Sequence, residues 1–263
     1  MSALFLFLGT TFIVAADSAA ESDSTEFYYF NPDSSQSNLA RLKREMDTFL
    51  SKSNSAVKFQ PFARYHDFHR KMRESIPAFV FMPEWYLQQN KDRFHLKPLL
   101  QPVRNNLSTY RKILLTSKES QVSLHDLRDK TIALTSMGPA TPDLLNKLIF
   151  SHYNLDSNLF NIIITPKDSD ALFALAVRQV DVALVSQDNL QRIGRINPRI
   201  LQLVRPLAES QPIPLPVLCA GDDVVPKEKI LKIKKIFLDA KRSKDSANLM
   251  EMLQIDAWHN YSL

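Results

Sequence analysis

Apolar and polar positions in residues 111–190 fall into blocks that predict strand, turn, strand, helix, strand, helix and strand. Residues 111–116 form a short apolar run, and residues 131–135 form a second one after the polar stretch 124–130. Pro142 opens a segment with Leu144, Leu145, Leu148 and Ile149 at helical spacing. A strand at 161–165, a helix at 169–177 and a strand at 180–185 follow. The same alternation runs through the first hundred residues. Residues 26–30 predict a strand that stops at Asn31-Pro32-Asp33-Ser34-Ser35-Gln36, a run of turn and capping residues. Leu39, Leu42, Met46, Phe49 and Leu50 then mark a helix, and residues 57–62 alternate as a strand, whose Pro61 suggests a sheet edge or end. A helix at 65–74 and an apolar strand at 78–82 lead into Pro83-Glu84-Trp85-Tyr86, read as an aromatic turn.

Two βαβαβ units emerge, at about residues 25–105 and 122–190, joined through residues 99–116. Such alternation implies an α/β protein with parallel sheets covered on both faces. In these sheets ligands gather where strands end in turns. From about Leu201 onward Pro206, Pro212, Pro214 and Pro216 stiffen the chain. A strand at 217–220 and helices at 228–240 and 246–253 complete this tail, which is expected to rejoin the first unit.

Composition removes several function classes. With 263 residues and 44% hydrophobic content the chain can bury a large core. Only 4 glycines occur, and neither Gly-x-Gly-x-x-Gly nor Gly-Lys-Ser/Thr is present, which argues against a nucleotide-type phosphate loop. The net charge of +5 reads as a solvated surface rather than a nucleic-acid interface. The lysines of residues 227–244 lie opposite Ile230, Leu231, Ile233, Ile236 and Phe237, as on an amphipathic surface helix. The single cysteine, Cys219, sits in an apolar run and reads as a buried structural thiol. Residues 3–16 are apolar or small, with small-residue sites around Ala16 and Ala20 but no Lys or Arg before Ala3. This predicts a signal peptide over residues 1–20 and an exported mature protein.

The order of these segments resembles the type 2 periplasmic solute-binding proteins, and within them the branch that binds phosphate, phosphite and phosphonate for ABC transporters. Residues 110–120 resemble the hinge strand, and residues 122–133 are similar to the entry into the second lobe, through Leu124, Asp126, Leu127 and Lys130. Residues 168–177, followed by Val180 and Asp181, resemble the helix-then-aspartate segment, and residues 78–86 the first-lobe strand. The resemblance implies a two-lobed α/β fold, each lobe a mixed, mostly parallel sheet flanked by helices. Its expected division is residues 21–116 as the first part of lobe 1, 117–203 as lobe 2, and 204–263 as the return to lobe 1. It implies a periplasmic binder of a small, phosphate- or phosphonate-like anion, not an enzyme, serving an inner-membrane permease. The alternative is an orphan sensor or interaction module acting through a membrane partner. No cofactor, metal or nucleic acid is expected, and a monomer is expected by analogy. Two departures stand out. Where the branch carries a Ser-Thr-Ser-Gly type turn, this chain has residues 135–142, in which Pro139 and Pro142 remove two backbone donors. Gln179 replaces the glycine before the aspartate.

The candidate ligand-binding residues lie in the strand-end turns. Ser34 and Ser35 can donate hydroxyl and amide hydrogen bonds at a helix N-terminus, or simply cap that helix. Tyr86 can reach a ligand with its hydroxyl, whereas Trp85 is expected in the core. Ser136 and Thr141 can supply hydroxyls. Lys167 and Ser169 can meet an anion, and Asp188 can accept from a protonated oxygen or an amine. His66 and His69 can share a helix face but lack a third ligand in sequence, and His125 and His152 stand alone. No Gly-x-Ser-x-Gly, His-Glu-x-x-His or Cys-His pattern points to catalysis.

Overall fold

The computed structural model describes residues 25–34, 38–52, 57–221, 225–243 and 246–262. The expected signal segment lies outside the described residues. No helix among the described residues is long and apolar enough to cross a membrane.

The first lobe begins with β1 (Thr25–Phe30), α1 (Leu39–Ser51), β2 (Val57–Phe62), α2 (Tyr65–Glu74) and β3 (Phe79–Met82). It continues with α3 (Glu84–Phe94) and β4 (Leu96–Val103), and the chain then crosses through β5 (Thr109–Tyr110). The second lobe contains β6 (Lys112–Ser117), β7 (Thr131–Thr135), α4 (Thr141–Leu148), β8 (Asn161–Thr165), α5 (Asp168–Ala176) and β9 (Val182–Ser186). It ends with α6 (Gln187–Ile196), α7 (Pro198–Leu203) and β10 (Val204–Glu209). The return passes through β11 (Ile213–Pro214) to β12 (Val217–Gly221), α8 (Lys227–Asp239), α9 (Ala247–Leu253) and β13 (Ala257–Asn260).

Among the described residues the first lobe's strands are ordered β13-β4-β12-β3-β1-β2, and the second lobe's β10-β6-β9-β7-β8. β5 and β11, one from each crossing, pair antiparallel as a short ribbon, with Ile213 opposite Tyr110. Two crossings that pair with each other form a natural hinge between lobes.

Period-2 alternation explains the layers. Along β1, Phe27 and Tyr29 enter a core with Leu42, Phe49, Phe59, Phe237 and Trp258, under the helices α1 and α8. Tyr28 and Phe30 point to the opposite face and join Phe68, Met72, Val80 and Met82. That second cluster runs on into Leu114, Ile132, Leu134, Val182 and Leu184 of the other lobe, so one apolar core spans the interface. Ile113, Leu115, Ala133, Ala183 and Val185 face the far side, against Ala171, Leu172 and Leu175 of α5. Phe30 stacks on Phe68 at 4.9 Å, and Tyr29 on Phe81 at 5.5 Å. Burying each such ring contributes about 1.5–3 kcal/mol.

Several expectations need correction. Residues 83–86 are not a free aromatic turn. Pro83 serves as N-cap of α3, whose first turn holds Glu84; a residue without an N–H and an acidic first turn both suit a helix start. The sheets themselves are mixed, as the resemblance implied: β12 and β6 enter antiparallel to β3 and β9. Each enters its sheet from the hinge ribbon, so it runs against strands that arrive through helical crossovers. The expected division at 116/117 falls within β6, which lies wholly in the second sheet, and β10 also pairs with β6 there. The return to the first sheet therefore starts at β11–β12, not at residue 204. Pro206 is tolerated in β10 because it sits at the sheet edge, beside a register shift. Pro61 lies in edge strand β2, as its sequence position suggests. Cys219 is fully buried in β12, where burial pushes its thiol well above the usual range.

Candidate functional site

The strand ends of the two lobes meet across a cleft of ≈ 620 Å³. The first lobe lines it with Asn31, Pro32 and Ser34 after β1, and with Phe62, Arg64, Tyr65 and His66 after β2. The second lobe adds Ser136 after β7, and Ile164, Thr165, Pro166 and Lys167 at the end of β8. Arg64, His66 and Lys167 are basic, and no Asp or Glu is among these lining residues. None of the three forms an ion pair with a described residue. A smaller hollow of ≈ 400 Å³ lies between α1 and α8, around Phe49, Lys52 and Lys235; it touches no strand end of the interface.

Deeper in the interface the chemistry changes. Asp33, from the turn after β1, inserts its carboxylate among groups of the second lobe and the hinge. It accepts from Lys112 Nζ at 2.5 Å, from the Tyr110 hydroxyl at 2.5 Å and from Thr135 Oγ1 at 2.9 Å. Asn189 Nδ2 donates to the Asp33 backbone carbonyl at 2.9 Å and to Asp168 Oδ2 at 2.8 Å. The backbone N–H of Ser186 also donates to Asp168 Oδ2, at 2.8 Å. Lys112 Nζ is 3.7 Å from Asp168 Oδ1, and both side chains are about 1% exposed. Asp168 Oδ1 and Asn189 Oδ1 are buried without a hydrogen-bond donor.

Burial works against the charge on Lys112, but Asp168 and Asp33 outweigh it and hold the ammonium above its ordinary range. Burial also opposes ionisation of Asp33; the charge and hydrogen bond of Lys112, helped by Tyr110 and Thr135, win and hold the carboxyl below its usual range. Asp168 goes the other way. Burial and the nearby Asp33 raise it, and Lys112 and the Asn189 and Ser186 hydrogen bonds offset this only in part.

Two further contacts join the lobes. Gly138, after β7, has φ +73°, and a Cβ there would lie 2.5 Å from the Tyr65 ring. Only glycine fits both this backbone conformation and the close approach. Arg104, beyond β4, forms an ion pair with Asp188 of α6 and donates from Nε to the Gln254 carbonyl at 2.6 Å.

The sequence-selected residues divide accordingly. Ser34, Ser136 and Lys167 line the cleft together; Ser35 lies outside the described residues. Thr141 is buried and staples its own turn, accepting from the Met137 N–H at 3.1 Å and donating to the Gly138 carbonyl at 2.6 Å. Ser169 sits in the first turn of α5 beside Asp168, but not on the cleft wall. Asp188 is engaged by Arg104, away from the cleft lining. Tyr86 is a correction: it is fully buried in the first lobe's core, because α3 begins at Glu84 and turns its ring inward. Its hydroxyl lies 2.9 Å from His69 Nδ1. Burial and the nearby Arg93 hold His69 below its usual range, so the neutral ring can accept that proton. The aromatic residues at the cleft are Tyr29, Phe30, Phe62 and Tyr65 instead. Sequence reading missed Asp33, Lys112, Asp168 and Asn189. A lysine beginning the apolar run of β6 was the one visible signal, since a lysine is almost never buried without a partner. Among the described residues no three His, Cys, Asp or Glu side chains come together to hold a metal.

Structural comparison places this geometry among solved proteins. A binding protein component of an ABC phosphonate transporter from Pseudomonas aeruginosa superposes with TM-score 0.74 at 19% identity, covering 90% of this chain and 81% of that one. PhnD1 from Prochlorococcus marinus in complex with methylphosphonate gives TM-score 0.74 at 12% identity, covering 90% and 92%. A histidine kinase sensor domain with similarity to periplasmic binding proteins gives TM-score 0.55 at 15% identity, covering 89% and 98%. At these identities the likeness is one of fold, the two-lobed periplasmic binding-protein fold. No curated protein sequence matches the chain. The family model for ABC transporter, phosphonate, periplasmic substrate-binding proteins does match, over residues 28–262. With almost every described element inside that match, from β1 to β13, the chain belongs to the family of periplasmic substrate-binding proteins of phosphonate ABC transporters.

Proposed function

We propose that this protein captures a phosphorus oxyanion in the interlobe cleft and delivers it to an inner-membrane permease. The observation that carries the reading is the cleft wall: Arg64, His66 and Lys167 converge from both lobes, with Ser34 and Ser136 hydroxyls and no carboxylate lining. Charge-assisted hydrogen bonds of this kind are the strong ones for an oxyanion. The family model and the methylphosphonate-bound neighbour support the same ligand class. In this reading the protein is exported by its N-terminal segment, acts as a monomer and carries out no catalysis. Binding draws the lobes together about the β5–β11 ribbon.

Isothermal titration with methylphosphonate, phosphite, phosphate and sulfate tests the reading. Binding of at least one phosphorus oxyanion is expected. Replacing Lys167 or Arg64 with Ala should weaken it about tenfold, the loss of one charge-assisted contact worth roughly 1.4 kcal/mol. Millimolar phosphorus oxyanions that release no heat and leave the melting temperature unchanged would overturn it.

A further inference from the structure

Two observations restrict the solute more narrowly than its anionic class. The first is that the floor of the interface is already filled. Asp33, Lys112 and Asp168 meet there among Tyr110, Thr135 and Asn189, and the Lys112 side chain is 1% exposed. The charges at the innermost strand ends are thus compensated within the chain. An incoming anion placed there would have to displace Asp33 from its hydrogen-bond donors and would face Asp168. Displacing a satisfied buried pair is unfavourable, because the group left behind keeps its desolvation cost. The anionic head is therefore confined to the outer chamber, where Arg64, His66 and Lys167 have no acidic partner among the described residues.

The second observation is the size and lining of that chamber. A volume of ≈ 620 Å³ falls in the range of pockets that enclose drug-sized molecules. A tetrahedral oxyanion alone leaves most of it empty. The remaining wall is apolar from both lobes. Phe62 and the Tyr65 ring face it from the first lobe, and Ile164, 49% exposed, from the second. Ile164 lies near the end of β8 and Lys167 in the turn that follows, and both line the cleft, so an apolar surface and a cation are presented together.

We infer that the solute is an organic phosphorus oxyanion with a bulky apolar or aromatic substituent, its head between Arg64, His66 and Lys167 and its substituent against Phe62, Tyr65 and Ile164. This rests on the proposed oxyanion-binding function and narrows it. Asp33 acts in it as a specificity-determining residue, closing the floor to a compact anion.

Titration of the protein with methylphosphonate, phenylphosphonate and phenyl phosphate tests the inference. The aryl compounds should bind about tenfold or more tightly than methylphosphonate, the equivalent of one ring contact. Ile164→Ser should erase that difference. Ile164 is half exposed, so this variant is expected to fold. Ile164→Leu should restore the preference. Methylphosphonate binding as tightly as phenylphosphonate overturns this inference alone. So does an aryl preference that survives Ile164→Ser. Failure of every phosphorus oxyanion to bind overturns the proposed function and this inference with it.

Discussion

The floor and the outer chamber of the interface are both built at strand ends, yet they treat charge in opposite ways. On the floor, Lys112 is enclosed by Asp33, Asp168 and Thr135. In the chamber, Lys167 faces the cleft with Arg64 and His66 and no acid among the described lining residues. Burial is what separates them. A charge removed from water must be compensated inside the chain, whereas one left at a wet surface can wait for a solute. The floor is thus a structural joint between lobes, and the chamber is the proposed binding site.

Exchanging the two lysines gives the largest contrast. Lys112→Met strands two buried carboxylates and should cost about 3–5 kcal/mol in urea unfolding. Lys167→Met should stay within about 0.5 kcal/mol while losing solute affinity. Equal stability losses for the two variants would erase the distinction between floor and chamber.

The pH dependence sharpens the same comparison. Asp33 is depressed in the folded protein, so its contribution is present above the ordinary carboxylate value and is lost as pH falls through its folded value. Lys112 is raised, so its contribution is present below the ordinary lysine value and is lost as pH rises through its folded value. Asp168 is raised and opposes Asp33: it favours folding below the ordinary carboxylate value and ceases to do so as pH rises through its folded value. The stability gap between the wild type and Lys112→Met should therefore be widest around neutrality. It should narrow in acid, where both carboxylates take up protons. A gap that is flat into acid would mean that the floor carboxylates are not the cause of the loss.

A smaller effect is expected at the contact between the lobes beside the chamber. Gly138→Ala places a methyl group against the Tyr65 ring at positive φ and should cost about 1–3 kcal/mol. Adding Tyr65→Ala should relieve the clash and leave the backbone strain, so thermal unfolding of the pair should show partial recovery. Full recovery would assign the glycine to packing alone. The smallest effect belongs to Tyr86→Phe, which removes the hydroxyl facing His69. A loss of about 1 kcal/mol with unchanged solute affinity is expected; weakened binding would return Tyr86 to the site.

Much of the fold could be read from the chain because period-2 and helical spacing are local. The strands at 26–30 and 131–135, the helix at 65–74 and the edge position of Pro61 all follow from neighbouring residues. β4 escaped because Pro98 and Pro102 interrupt its pattern. The sheet admits it where register irregularities and a partner on each side compensate. The site was legible only in part. Ser34, Ser136 and Lys167 are turn residues at strand ends, so their common location follows from the α/β order. Tyr86 was misplaced because a turn and the first turn of a helix look alike after a proline.

By itself, then, the sequence determined the alternation of strands and helices, the turns that carry candidate ligands, and the burial of Cys219. These depend on spacings of a few residues. Only the tertiary structure decided which charges are compensated within the chain and which face the cleft. Asp33 and Lys112 stand 79 residues apart, and each reads alone as an ordinary turn or strand residue. They acquire their roles where the lobes pack together and exclude water, because the cost of an unpaired charge depends on its surroundings and not on its neighbours in sequence.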